Sequence, residues 1–209
     1  MLAYLFWHRP LDAGAAEEYE QALLAFHRSL AHSPPVGLCG SACFRVGELP
    51  WLSGPPPAGA QGQPEDGGGY EDWYVVEDYA ALGVLNEAAA GRGHRTSHDR
   101  AARRFGAGSG GLYGLVEGER PPGRGGALGD ASLAVWVARP PGSRFPALGE
   151  LLGDGMDPGR ASLWRRQLVL GPAPEFCLLA SETPAGVAAT RLPEGWTARI
   201  LDREALFNG

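Results

Sequence analysis

The sequence predicts an α+β protein built from two consecutive β-α-β-β-α-β units, the ferredoxin-like order of elements. Three observations carry the prediction. Short β-type runs alternate with amphipathic helical stretches, a segment of linker composition sits past the middle of the chain, and the run beyond it echoes the opening strand. At 209 residues the chain is long enough for one large domain or two small ones. Its 6 Trp, 6 Tyr and 7 Phe, grouped in short apolar runs, call for a packed interior despite 32 Gly and 18 Pro.

Ala3 to Pro10 (AYLFWHRP) is a β-type run stopped by proline. Ala15 to Leu30 follows as a helix, with Ala16, Tyr19, Leu23, Phe26 and Leu30 at three-to-four spacing, and Pro34-Pro35 ends it. Gly37 to Val46 alternates as a second strand. Leu49 to Gly69 is a Pro/Gly-rich excursion without periodicity, read as a flexible insertion over 53–69. Glu71 to Glu77 (EDWYVVE) is a third strand, and Asp78 to Ala90 has the Asp start and trailing Gly91 of a short helix. Ser97 heads a further helical stretch as its N-cap, and Gly111 to Glu117 closes the first unit as a fourth strand.

The first unit thus spans 1–118, a linker 119–131, and a shorter second unit 132–209. Ser132 to Pro140 (SLAVWVARP) shares an aromatic centre and a terminal Arg-Pro with the opening strand. Phe145 to Leu152 is a short helix, and Ser162 to Leu170 and Glu175 to Ala180 are paired strands. Gly195 to Leu206 supplies the last strand.

This element order, the strand EDWYVVED leading straight into a helix, and the helix-Gly-Gly-Leu-Tyr strand over Ala101 to Leu115 resemble the dimeric α+β barrel superfamily. In that superfamily two ferredoxin-like units pair antiparallel sheets around a shared interior, and here one chain supplies both. The resemblance implies either a monomer with an internal pseudo-dimer or a homodimer. Its members include cofactor-free monooxygenases, haem-binding and haem-degrading enzymes and small-lactone isomerases, so it implies no single activity.

Composition narrows the chemistry. All 18 basic residues are Arg, which excludes a Schiff-base, pyridoxal-phosphate or P-loop lysine. A net charge of −6 argues against nucleic acid and anionic membranes as partners, and no apolar run is long enough to span a bilayer. The opening run is too short for a signal peptide, so the expected location is the cytoplasm. Cys39, Cys43 and Cys177 form no C-x-x-C pair. The first two are read as buried small hydrophobes rather than a redox or metal pair.

Sorting strand positions by polarity places Leu38, Ala42 and Phe44 on the helix side of the second strand and Cys39, Ser41, Cys43 and Arg45 inside. On the first strand Tyr4 and His8 are placed inward. His8 is a candidate general base or axial ligand, Arg45 an anion clamp, and Tyr113 a hydroxyl in the interior. These three are the catalytic candidates, with Tyr4, Trp73, Tyr74 and Arg165 as ligand-binding candidates and no metal ligands. His27 and His32 are placed toward solvent. His94 and His98 have a metal-compatible spacing, but capping at Ser97 leaves His94 outside the helix. Gly106-Ala-Gly-Ser-Gly-Gly111 satisfies G-x-G-x-x-G but follows a helix and precedes a strand, the reverse of a dinucleotide-binding turn. It is read as a helix end and loop.

Three functional readings follow. The first is an enzyme or binder of a small aromatic or anionic metabolite, acting without an organic cofactor. The second is a non-catalytic protein with its interior filled by side chains. The third is haem binding through His8. The residues leave open whether the chain is an enzyme.

Overall fold

The computed structural model describes residues 1–52, 68–91, 93–118, 128, 131–154, 156–167, 171–187 and 191–209. The first eight elements in order are β1 (Leu2–Pro10), α1 (Ala16–His32), β2 (Leu38–Val46), β3 (Gly69–Val76), α2 (Tyr79–Ala90), α3 (Arg95–Ala102), β4 (Phe105–Gly118) and β5 (Leu133–Ala138). They continue with α4 (Leu148–Leu152), β6 (Ser162–Arg166), β7 (Phe176–Ala180) and β8 (Thr197–Asn208). The expected insertion at 53–69 and linker at 119–131 fall largely outside the described residues.

The eight strands close into one barrel in the order β1-β3-β2-β8-β5-β7-β6-β4, with every neighbouring pair antiparallel. This corrects the predicted class. The chain is a mostly β, closed antiparallel barrel, in place of an α+β pair of ferredoxin-like repeats, and the resemblance to the dimeric α+β barrel superfamily falls with that class. Two features carry the correction. The arcs β4-β1-β3-β2 and β8-β5-β7-β6 are joined edge to edge by the β2–β8 and β4–β6 ladders, where two separate sheets around a shared interior were expected. Among the described residues of 132–209, moreover, the one α-helix is α4, five residues long. Edge-to-edge closure pairs the backbone groups that two open sheets would leave exposed.

Local chemistry explains the helices. Glu17 and Glu18 lie in the first turn of α1, where acidic groups complement the helix dipole. Asp78 caps α2 by accepting the Ala81 N–H at 2.9 Å, and Gly91 ends it. His94, not Ser97, is the N-cap residue of α3; Ser97 lies within the first turn and donates to the His94 carbonyl at 2.8 Å. The glycine run 106–111 is part of β4, not a helix end. A Cβ on Gly108 would meet the Trp7 carbonyl oxygen at 2.8 Å and the Phe6 ring at 2.9 Å, so glycine lets the aromatic strand β1 lie close.

The main core fills the lumen, with Leu5, Trp7, Phe44, Trp73, Trp136 and Trp164 among its buried members. Outside the barrel, α1 and α2 cover β1 and β3 through Phe26, Leu30, Tyr74, Val76 and Leu85. On the opposite side α4 covers β5 and β7 through Leu148, Leu151, Val135, Phe176 and Leu178. No helix among the described residues is long and apolar enough to cross a membrane.

Candidate functional site

Strand parity decides which side chains can meet, and it reverses the expected assignment. Leu38 does face the helices, but the β2–β3 register shifts between Leu38 and Gly40. Beyond that irregularity Ala42 and Phe44 enter the lumen, while Ser41, Cys43 and Arg45 point outward; Cys39 packs against the lumen core. On β1 the apolar residues Ala3, Leu5 and Trp7 fill the lumen, so Tyr4, Phe6 and His8 face outward. The lumen is mostly the hydrophobic core, and the polar side chains of His8, Ser41, Cys43 and Asp72 lie on the helix side of the sheet.

The lumen holds a buried ion pair. Glu71 accepts from Trp7 Nε1 at 2.8 Å and from Trp73 Nε1 at 2.7 Å, and Arg203 Nε lies 3.2 Å from its carboxylate. The Arg203 guanidinium lies over the Phe44 ring at 3.4 Å. Trp7, Trp51 and Trp136 meet edge-on with centroids 4.9 to 5.4 Å apart. Tyr113 donates to the Pro174 carbonyl at 2.8 Å.

A second polar cluster lies on the outer face beneath α1. Asp72 sits opposite Phe6 on β1 and Cys43 on β2. His8 Nε2 is 3.1 Å from Asp72 Oδ2, and His27 Nε2, arriving from α1, is 3.3 Å from Asp72 Oδ1. The Tyr74 hydroxyl donates to Oδ2 at 3.1 Å. Each imidazole is anchored through its other nitrogen, His8 Nδ1 by the Tyr19 hydroxyl at 2.8 Å and His27 Nδ1 by Ser41 Oγ at 2.9 Å. Tyr74 lies flat on His27, 5.2 Å between centroids at 5°. Asp72, His8 and His27 are at most 1 % exposed.

Burial by itself pushes the Asp72 carboxyl up, but the neighbouring His8 and His27 imidazoles outweigh it and hold the group well below the usual carboxylate range. Burial first, and then the Asp72 charge, push the Tyr19 and Tyr74 hydroxyls and the Cys43 thiol upward. The cluster is thus a buried anion flanked by two imidazoles and ringed by protonated hydroxyls and a thiol.

Next to it a cleft of about 700 Å³ opens between the outer sheet face and the helices, lined by Tyr4, Phe6, Phe26, Tyr74, Tyr79 and His98. Tyr74 belongs to both places: its ring lines the cleft and its hydroxyl reaches Asp72.

Of the sequence-predicted residues, the structure brings His8, Tyr74 and Tyr4 to this one outer face. Trp73 and Tyr113 lie in the lumen, on the other side of the sheet. Arg45 is exposed and paired with Glu20 at 2.7 Å and with Glu204. Arg165 lies in the other half of the chain, bonded to Glu175 at 3.2 Å and stacked over Phe145 at 4.0 Å. His8 and Arg45 therefore do not converge.

The residues missed from sequence are Asp72, His27, Cys43 and Tyr19. His27 was placed toward solvent, yet it is 0 % exposed. A signal for it exists, since position 27 is four residues after Leu23 and three before Leu30, on the buried stripe of α1. Asp72 had no such signal, because an acidic residue inside a strand reads locally as its solvent face.

The fold and these sites define a closed antiparallel barrel with a helix-covered polar cluster on its outer face. No protein-family model and no curated protein matches the chain.

Proposed function

We propose that the chain binds a small planar aromatic molecule in the cleft between the β1–β3 face and helices α2 and α3. The observation that carries this reading is the cleft itself, five aromatic rings around about 700 Å³ with His98 and Asn86 as polar groups. Ligand sites of roughly 300–1,000 Å³ lined by aromatic surface with few polar groups suit ligands of this size. Aromatic walls favour offset or edge-on packing of a flat ring. His98 and Asn86 offer hydrogen bonds to a substituent such as a hydroxyl or carboxylate.

Calorimetric titration with 2-naphthol and 2-naphthoate tests the reading. Gly83 lines the cleft on α2, and a Cβ there meets nothing within 4 Å, so Gly83→Phe adds a bulky ring at the cleft wall without disturbing the core. Saturable binding that Gly83→Phe abolishes supports the proposal. Absence of binding to either compound, or binding unchanged in Gly83→Phe, overturns it.

The alternative of a non-catalytic barrel draws on the mutual contact of Trp7, Trp51 and Trp136, which fills part of the lumen with side chains. Failure of both naphthyl probes would favour it. Haem binding through His8 has little support, because that ring is fully buried with its two nitrogens against Tyr19 and Asp72.

A further inference from the structure

Three donor atoms from three different elements converge beneath α1. His27 Nε2, Cys43 Sγ and a carboxylate oxygen of Asp72 lie within 4.8 Å of one another, and all three side chains are buried. They come from α1, β2 and β3, and Cys43 and Asp72 are direct cross-strand partners. We propose that these three residues bind one zinc ion. The inference does not rest on the cleft.

Spacing is the first support. Nitrogen and oxygen ligands about 2.0–2.1 Å from a tetrahedral zinc stand roughly 3.3 Å from each other. His27 Nε2 and Asp72 Oδ1 are 3.3 Å apart.

Hydrogen bonding is the second. That short approach lacks the alignment of a hydrogen bond, and both His27 Nε2 and Asp72 Oδ1 are buried without a hydrogen-bond partner. Two buried polar atoms that face each other without a hydrogen bond are costly, and an ion bound off the line between them would satisfy both. The remaining atoms of the two side chains are occupied, as outer partners of a metal site are. Ser41 Oγ holds His27 Nδ1, and the Tyr74 hydroxyl holds Asp72 Oδ2, which His8 also faces.

Charge and ligand softness are the third. One carboxylate and one thiolate neutralise a divalent ion, which fits a wholly buried position. On binding, the Cys43 thiol forms a metal–sulfur bond and releases its proton to solvent, as a coordinating thiol does. Thiolate with imidazole and one carboxylate suits zinc and disfavours magnesium and calcium, which take all-oxygen sets. Three protein ligands leave a fourth position for water.

The test uses the full chain, stripped with a chelator and titrated with Zn²⁺ alone and Co²⁺ alone, with metal counted after gel filtration. The expected result is one ion per chain, and a Co²⁺ form with intense four-coordinate visible bands and a near-ultraviolet thiolate charge-transfer band. Cys43→Ser should remove the charge-transfer band. Asp72→Asn and His27→Gln should weaken Zn²⁺ binding about tenfold or more, while Cys177→Ser in the lumen changes neither readout. The Co²⁺ spectrum of the unmutated chain needs no variant to fold. Substoichiometric metal on folded protein, a Co²⁺ form without the thiolate band, or binding indifferent to Cys43→Ser and Asp72→Asn overturns the proposal.

Discussion

Asp72 and Cys43 face each other across the β2–β3 ladder, both pointing out of the barrel into the layer covered by α1. An acid and a thiol at a helix–sheet boundary would normally seek water, yet Asp72 is 1 % and Cys43 0 % exposed. Their polarity is answered inside the layer by His8, His27 and Tyr74.

Removing the acid should therefore be costly. Asp72→Ala leaves two imidazoles buried without the carboxylate they face and the Tyr74 hydroxyl without its acceptor, and urea unfolding should show a loss of about 3 kcal/mol or more. Asp99→Ala, which removes an exposed partner of Arg95, should cost less than about 1 kcal/mol. Equal losses in the two variants would mean that the cluster contributes no more than a surface pair.

The lumen pair should be strongly non-additive. Glu71→Gln alone leaves Arg203 buried and unpaired, and Arg203→Met alone leaves Glu71 with only the Trp7 and Trp73 indoles. Each single change should cost about 3 kcal/mol and the double change clearly less than the sum. A double variant whose loss equals the sum would show that the two groups are energetically independent.

Two glycines should respond in opposite directions to alanine. At Gly108 the new Cβ meets the Trp7 carbonyl at 2.8 Å, and overpacking against backbone should destabilise by about 1–3 kcal/mol. Gly83 lies inside α2 with open space around it, and Gly83→Ala should stabilise by about 0.5–1 kcal/mol. Thermal melts of the two variants side by side give the comparison; a shift of the same sign in both would contradict the packing argument.

Thiol reactivity should follow burial. Cys43 and Cys177 are fully buried, and burial pushes the Cys177 thiol far up, with the nearby Glu71 charge adding to it. Cys39 is half-buried and raised to a lesser degree, again chiefly by burial. A raised thiol pKa removes thiolate at mildly alkaline pH, so an aromatic disulfide reagent should label Cys39 first and the other two only as urea unfolds the chain. Prompt labelling of Cys177 under native conditions would show that the barrel opens readily.

By itself the sequence determined roughly where most of the described strands and helices lie, because the signals involved act within a few residues. The spacing from Tyr19 to Leu30, the Asp78 cap and Pro34-Pro35 all mark real boundaries. Where the local signal was ambiguous it failed: the glycines of 106–111 resemble a loop until the rings of β1 are seen beside them. Only the tertiary structure decided which face of each strand looks into the lumen, because alternation has period two and is equally consistent with either choice. One register shift after Leu38 exchanged the two faces of β2, and closure of the barrel gave the lumen to the tryptophans. The β2–β3 ladder and the packing of α1 over it brought His27, Cys43 and Asp72 together from separate elements, a meeting that depends on strand order and helix placement rather than on any local pattern.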